Sequence, residues 1–154
     1  NGVGEYPNDR LKKLNLEILE QKKNGSYIIL SEPSDAMKNV YNVPTWTEDT
    51  IKLVKKYTDR KIILHNKFSK EPLKILLKDA WAFISLQSTA GFMAMLNGVP
   101  SYFTDVSLKN ISKIKDIESP VINYNIFNSL AYGQWTLKEM ETGEAWETIS
   151  KNKV

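Results

Sequence analysis

The residues best suited to bind something charged lie in one short turn. Ser85-Leu-Gln-Ser-Thr-Ala-Gly91 follows an apolar run and precedes a helix-forming stretch that closes at Asn97-Gly98. A helix start leaves backbone N–H groups without intrahelical partners and carries a partial positive charge. Small residues there (Ser88, Thr89, Ala90, Gly91) let a ligand approach the backbone closely. Such a turn, at the carboxyl end of a buried strand, is a candidate phosphate cradle, with Gln87 beside it. An alternative stands open: Ser88 or Thr89 caps the helix, and Ala90 and Gly91 let it pack on the sheet.

Other reactive side chains sit after other apolar runs. His65 follows Lys61-Ile-Ile-Leu64, with Asn66, Lys67 and Ser69 next to it. Glu32 and Asp35 lie in Ser31-Glu-Pro-Ser-Asp35, after Tyr27-Ile-Ile-Leu30. Pro, Ser and Asp also favour ordinary turns. A lone His at a strand end and a Lys in a charged loop each have a plain structural reading too: a hydrogen-bonded residue and a solvated one.

Composition removes several chemistries. The chain has 154 residues, no cysteine and one histidine. A disulfide scaffold, a cysteine-ligated zinc site, a thiol nucleophile and a multi-His metal centre are therefore excluded. Positive charge comes almost wholly from lysine, the only arginines being Arg10 and Arg60, and 21 basic residues nearly balance 18 acidic ones. The lysines are scattered among acids, without the clustered basic stripe of a nucleic-acid binder, so no nucleic-acid partner is expected. No run approaches the ~18 apolar residues of a membrane span, and residues 1–10 lack the apolar core of a signal peptide. A cytoplasmic location is the expectation.

The elements that must position these groups alternate. Residues 1–10, with Gly2, Gly4 and Pro7, suggest a flexible lead-in to a domain over 11–154. A helix is expected from Leu11 to Asn24-Gly25. Strands are expected at 27–30, 61–64, 81–85 and 99–103. Helices are expected at 46–58, with Thr45 and Glu48 at capping-box spacing, from Pro72 to Leu77, and over Thr89–Leu96. The last third is less regular: a short helix over Leu108–Ile114, a strand or extended segment at Pro120–Ile122, a capping box at Thr136–Glu139 opening a helix that Gly143 stops, and a further helix over 144–150. Trp135 and Trp146 suggest that the tail, 123–154, packs on the domain, and Trp46, Trp81 and Phe83 suit core positions. Tyr132, Gln134 and Trp135 suit packing, or closure over a ligand. The predicted fold class is α/β: a single Rossmann-like domain with a mainly parallel sheet of four to six strands, helices on both faces and a helical C-terminal extension.

Three stretches carry a resemblance. Ser85–Pro100, with Ser88, Ala94, Gly98 and Pro100 in register, resembles the C-terminal Rossmann half of GT-B glycosyltransferases, especially bacterial capsule and surface-polysaccharide types. Leu64–Leu73 with Leu76-Leu-Lys-Asp-Ala80 resembles the strand, basic loop and helix of that family. Ala131–Glu139 with Gly143-Glu-Ala-Trp146 resembles the closing segment of its capsule-type and phage-borne members. Together they span roughly residues 61–146.

The resemblance implies a nucleotide-sugar, or other phosphorylated sugar, as ligand. It places Gln87, Ser88, Thr89 and Ala90 at the donor phosphates, and His65 and Lys67 as candidate catalytic groups facing leaving-group charge. Glu32, Asn66 and Ser69 are possible cleft residues. No metal and no other cofactor is implied; Asp116-Ile-Glu118 only mimics a metal-binding motif. The chain departs from the family at Met93, where a glutamate usually binds ribose hydroxyls, since a thioether cannot bind a diol. The length suits one half of a two-domain transferase, the acceptor-binding half being a further domain or a second subunit. The other expectation is a non-catalytic binding or assembly domain on the same scaffold. A methyltransferase lacks support, because Ser31–Asp35 contains no glycine.

Overall fold

A computed structural model of the chain describes residues 5–105, 107–108 and 111–151. In chain order its regular elements are α1 (Asp9–Lys13), β1 (Tyr27–Ser31), α2 (Asp35–Val40), α3 (Trp46–Val54), β2 (Lys61–His65), α4 (Leu73–Leu76), β3 (Ala80–Ser85), α5 (Thr89–Leu96), β4 (Ser101–Phe103), α6 (Asn125–Tyr132), α7 (Leu137–Glu141) and α8 (Glu144–Lys151). Two further turns, Leu77–Asp79 and Ile114–Asp116, are 3-10 helical. The contacts divide the chain into two compact units: Glu17–Asn123, and the chain's start through Leu16 together with the segment from Tyr124 onward.

The larger unit is an α/β, Rossmann-like structure. Its four strands form one sheet in the order β2-β1-β3-β4, every pair parallel. Parallel strands buried on both faces show as continuous apolar runs, which fits β1 and β3; β2, expected from its run Ile62–Leu64 to be buried as well, is an edge strand that leaves Lys61 and Leu64 exposed. Alternate residues serve opposite faces. Ile28 and Leu30 join Ala82, Ile84 and Tyr102 against Trp46 and Val54 of α3, whereas Ile29 and Phe83 meet Leu76 of α4, Leu77 and Ala94 of α5. Trp46 and Phe83 are buried, as expected, and the Trp46 indole N–H donates to Thr104 Oγ1 at 2.6 Å. Trp81 is half-buried beneath the Arg60 guanidinium, 3.8 Å from its ring centre.

Several boundaries differ from expectation. The helix expected over 11–24 is only α1, which begins at Asp9, inside the expected lead-in, and ends where Asn15 takes φ 48°. Leu14, Leu16 and Ile18 alternate in the sequence, and an alternating period suits extended chain. The following segment runs along the end of α5: the Leu19 amide donates to Leu96 O at 2.9 Å and the Lys22 amide to Gly98 O at 2.8 Å. Helix α3 stops at Val54, and Thr45 makes no capping bond, its hydroxyl donating instead to Asp49 Oδ2 at 2.6 Å. Pro72 precedes α4 as its N-cap. The short helix expected over 108–114 falls partly outside the described residues. Pro120–Ile122 forms no strand; the Gln21 amide group ties it, donating to Pro120 O at 2.6 Å and accepting from Ile122 N–H at 2.7 Å. Helices α2 and α6 were not foreseen.

The smaller unit is organised around Arg10, which is buried. Its guanidinium donates to Ala131 O at 3.0 Å, to Gln134 O at 2.6 Å, and to both carboxylate oxygens of Glu139 at 2.8 and 3.2 Å. It also lies 4.0 Å from the Trp135 ring centre. Glu139 completes the foreseen capping box with Thr136, and Gly143, at φ 82°, separates α7 from α8.

Two outcomes follow. Gly98 sits at φ 74°, and a Cβ there would meet Glu20 O at 2.2 Å, a backbone atom that cannot swing aside. Gly98→Ala is expected to lower unfolding free energy in urea by at least about 1–2 kcal/mol, the cost of a left-handed alanine alone. The Glu139 carboxyl is lowered from 4.5 to about 2, first by the Arg10 guanidinium and then by the Thr136 amide. A depressed acid contributes stability that is complete above its unfolded value and lost as pH falls through its folded one. The urea midpoint, followed by Trp fluorescence, should therefore decline between about pH 4.5 and 2, and Glu139→Gln should flatten that decline while lowering the plateau above it.

Candidate functional site

The strand register sets the site. Ser31, the last residue of β1, lies opposite His65, the last of β2, and opposite Ser85, the last of β3. Three strand ends therefore stop at one level. The chain leaves β1 toward β2 on one side and later returns to place β3 on the other, so the β1/β3 boundary is a topological switch point, where open α/β sheets bind ligands.

A cleft of about 460 Å³ opens at this edge. Its walls are the end of β1 and the following turn (Ser31–Ser34) with Met37 of α2, the end of β2 and its loop (His65–Lys67), Leu73 of α4, and the end of β3 through the start of α5 (Ser85–Ala90). The structure thus brings Glu32, His65, Asn66, Lys67, Gln87, Ser88, Thr89 and Ala90 together on one cleft. Ser69 is not on its wall: its hydroxyl accepts from the Asn66 amide at 2.9 Å and closes the loop. Asp35 is likewise outside it, as the first residue of α2.

The α5 N-terminus is capped from within. Ser88 is the N-cap, its Oγ accepting from the Ala90 amide at 3.2 Å, while Ser88 O accepts from the Gly91 amide at 2.9 Å. The Ser88 amide donates to the buried Ser85 Oγ at 3.3 Å. The capping reading of Ser88 therefore holds, and it leaves Thr89, exposed at the first helical position, at the positive end of the helix. Gly91 is small for another reason than ligand approach: a Cβ there would meet the Phe103 ring at 2.6 Å. Met93 is half-exposed and is not among the cleft residues.

Glu32 is the most connected side chain of the cleft. Its Oε1 accepts from Lys38 Nζ at 3.1 Å and Thr47 Oγ1 at 2.9 Å, and its Oε2 accepts from Asn66 Nδ2 at 3.4 Å. Its own amide donates to His65 O at 2.8 Å. The Lys38 and Thr47 donors hold the carboxyl below its ordinary value, so it is ionised at neutral pH. Lys38 and Thr47 were missed in the sequence; nothing local marks them, because each reaches Glu32 from a helix whose placement only the fold decides.

A cavity of equal volume lies in the smaller unit, walled by Arg10, Gln134, Trp135 and Glu139 among others. Its strongest polar groups already satisfy one another, Arg10 being engaged by Glu139 and two carbonyls. Tyr132, Gln134 and Trp135 serve this Arg10 cluster, as packing residues. Glu118 pairs with Arg60 at 3.2 Å, and among the described residues no group of His, Asp and Glu is arranged to hold a metal ion. Among the same residues no helix is long and apolar enough to cross a membrane. No family model, no curated protein and no solved structure matches the chain.

Removing the α5 cap should have a distinctive cost. Ser88→Ala is expected to lose about 1 kcal/mol of unfolding free energy in urea, whereas Ser88→Gly should lose only a few tenths. Equal losses in both variants would deny the capping role.

Proposed function

We propose that the cleft binds the phosphates of a nucleotide-sugar or another phosphorylated sugar donor, and that the chain is a glycosyltransferase-like domain working with an acceptor-binding half. The observation that carries this reading is the convergence of three aligned strand ends and the α5 N-terminus on one cleft at a topological switch point. The N-terminus of α5, at Thr89, and Lys67 in the loop after β2 both supply positive potential to the cleft. Transfer of a glycosyl group leaves negative charge on the departing phosphate, and preorganised donors and cations placed where that charge develops are what such a reaction needs. His65, which lines the same cleft, is with Lys67 the candidate group for meeting that leaving-group charge.

A second reading keeps the ligand and drops the chemistry: a binding or assembly domain. The only acid on the cleft wall among the described residues, Glu32, is held ionised by the groups around it. That favours a role in holding a ligand over one in moving protons.

Calorimetric titration with UDP-, GDP- and CMP-sugars tests the reading. Binding of at least one at submillimolar concentration is expected. Thr89→Glu should then separate binding from folding. An acid in the first turn stabilises a helix by about 0.3–1 kcal/mol, yet the same carboxylate should repel a phosphate and weaken affinity about tenfold. Absence of binding at millimolar ligand overturns the proposal. Turnover by the chain with an added acceptor would decide against the non-catalytic reading.

A further inference from the structure

A phosphate cradle has no use for a carboxylate, since like charges repel. Yet Glu32 lies on the cleft wall, and neighbours from α2, α3 and the loop after β2 fix its position. An ionised carboxylate only accepts hydrogen bonds, about four of them. Lys38 and Thr47 both donate to Oε1. Oε2 receives one long contact, 3.4 Å from Asn66, and so keeps capacity for a second donor. Side chains on the protein already neutralise the charge, through the Lys38 ion pair at 3.1 Å, so the remaining oxygen suits a neutral donor. Hydroxyl groups are the neutral donors that a phosphorylated small molecule carries in number.

We infer that Glu32 Oε2 is a hydroxyl-binding group of the cleft, and that the ligand presents a polyol beside its phosphate. The inference rests on the anion-binding reading of the same cleft and deepens it. Glu32 acts here by accepting and orienting; it is not assigned a proton-transfer step.

The test compares ligands that differ in hydroxyls: inorganic pyrophosphate, which has no carbon-bound hydroxyl, glucose 1-phosphate and glucosamine 1-phosphate. Binding of each is measured by calorimetry to the full chain and to Glu32→Gln and Thr47→Val. In Glu32→Gln, affinity for glucose 1-phosphate should fall about tenfold while pyrophosphate binds as well as before or more tightly. Thr47→Val removes a support from Oε1 and leaves Oε2, so it controls for disturbance of the loop: the ratio of the two affinities should stay near that of the unchanged protein. A ratio unchanged in Glu32→Gln, or changed equally in Thr47→Val, overturns the inference and leaves the anion site standing. A larger loss for glucosamine 1-phosphate than for glucose 1-phosphate overturns it too, in favour of an ammonium partner. Failure of the unchanged chain to bind any of the three overturns the anion reading along with it.

Discussion

The central position of β1 is the constraint on which the larger unit depends. Both its edges are hydrogen-bonded, to β2 and to β3, and both its faces are buried. Ile28, Ile29 and Leu30 are essentially inaccessible to solvent, with Ile28 and Leu30 facing one helical layer and Ile29 the other. Because parallel register is fixed by the hydrogen-bond ladder, one slip of β1 would turn its apolar residues to the wrong faces and would also move Ser31 out of line with His65 and Ser85. Fold stability and cleft geometry are thus one condition met by the same few residues.

Two charged nodes hold what the sheet does not. In the larger unit, Glu32 gathers α2, α3 and the loop after β2. In the smaller unit, Arg10 gathers α1, the end of α6 and the first turn of α7. They differ in completeness. The Arg10 guanidinium is buried, paired in a fork with Glu139 and stacked on Trp135, so its bonding capacity is turned inward. The Glu32 carboxylate accepts two donors on Oε1 and a single long contact on Oε2, and its residue lies on the wall of a cleft. Equal cavity volumes beside the two nodes therefore carry different chemical meaning.

What could be seen in the sequence was local. Apolar runs marked all four strands in the sequence, but only β1, β3 and β4 are buried; β2, at the sheet edge, exposes Lys61 and Leu64. Helix α5 was visible from both its ends, through Ser88 and Gly98, and the Thr136–Glu139 box through its spacing. The misses share a cause. Arg10 and Glu139 stand 129 positions apart and Asn66 and Glu32 stand 34 apart, and no periodicity marks a partner at such a distance. The segment after α1 misled because its largely exposed leucines are spaced like a helical stripe, whereas its backbone pairs with the end of another helix. Gly91 shows the limit at the turn itself: of the two readings open in the sequence, close approach of a ligand and packing on the sheet, the second holds, because the Phe103 ring lies where a Cβ would be.

The pairing of residues 19–22 with the C-terminal end of α5 bears on the order in which the molecule is completed. Leu19 and Lys22 leave the ribosome long before Leu96 and Gly98, whose carbonyls their amides need. The same holds for β1, which is made first, gains β2 on one edge, and keeps the other edge open until β3 is made. During synthesis the middle of the sheet is therefore an unprotected border, and the first-made segment of this unit waits for α5, made well after β1 and β2. Early chain and late chain close the structure together, and a growing chain halted between β2 and β3 would present bare strand edge to its surroundings.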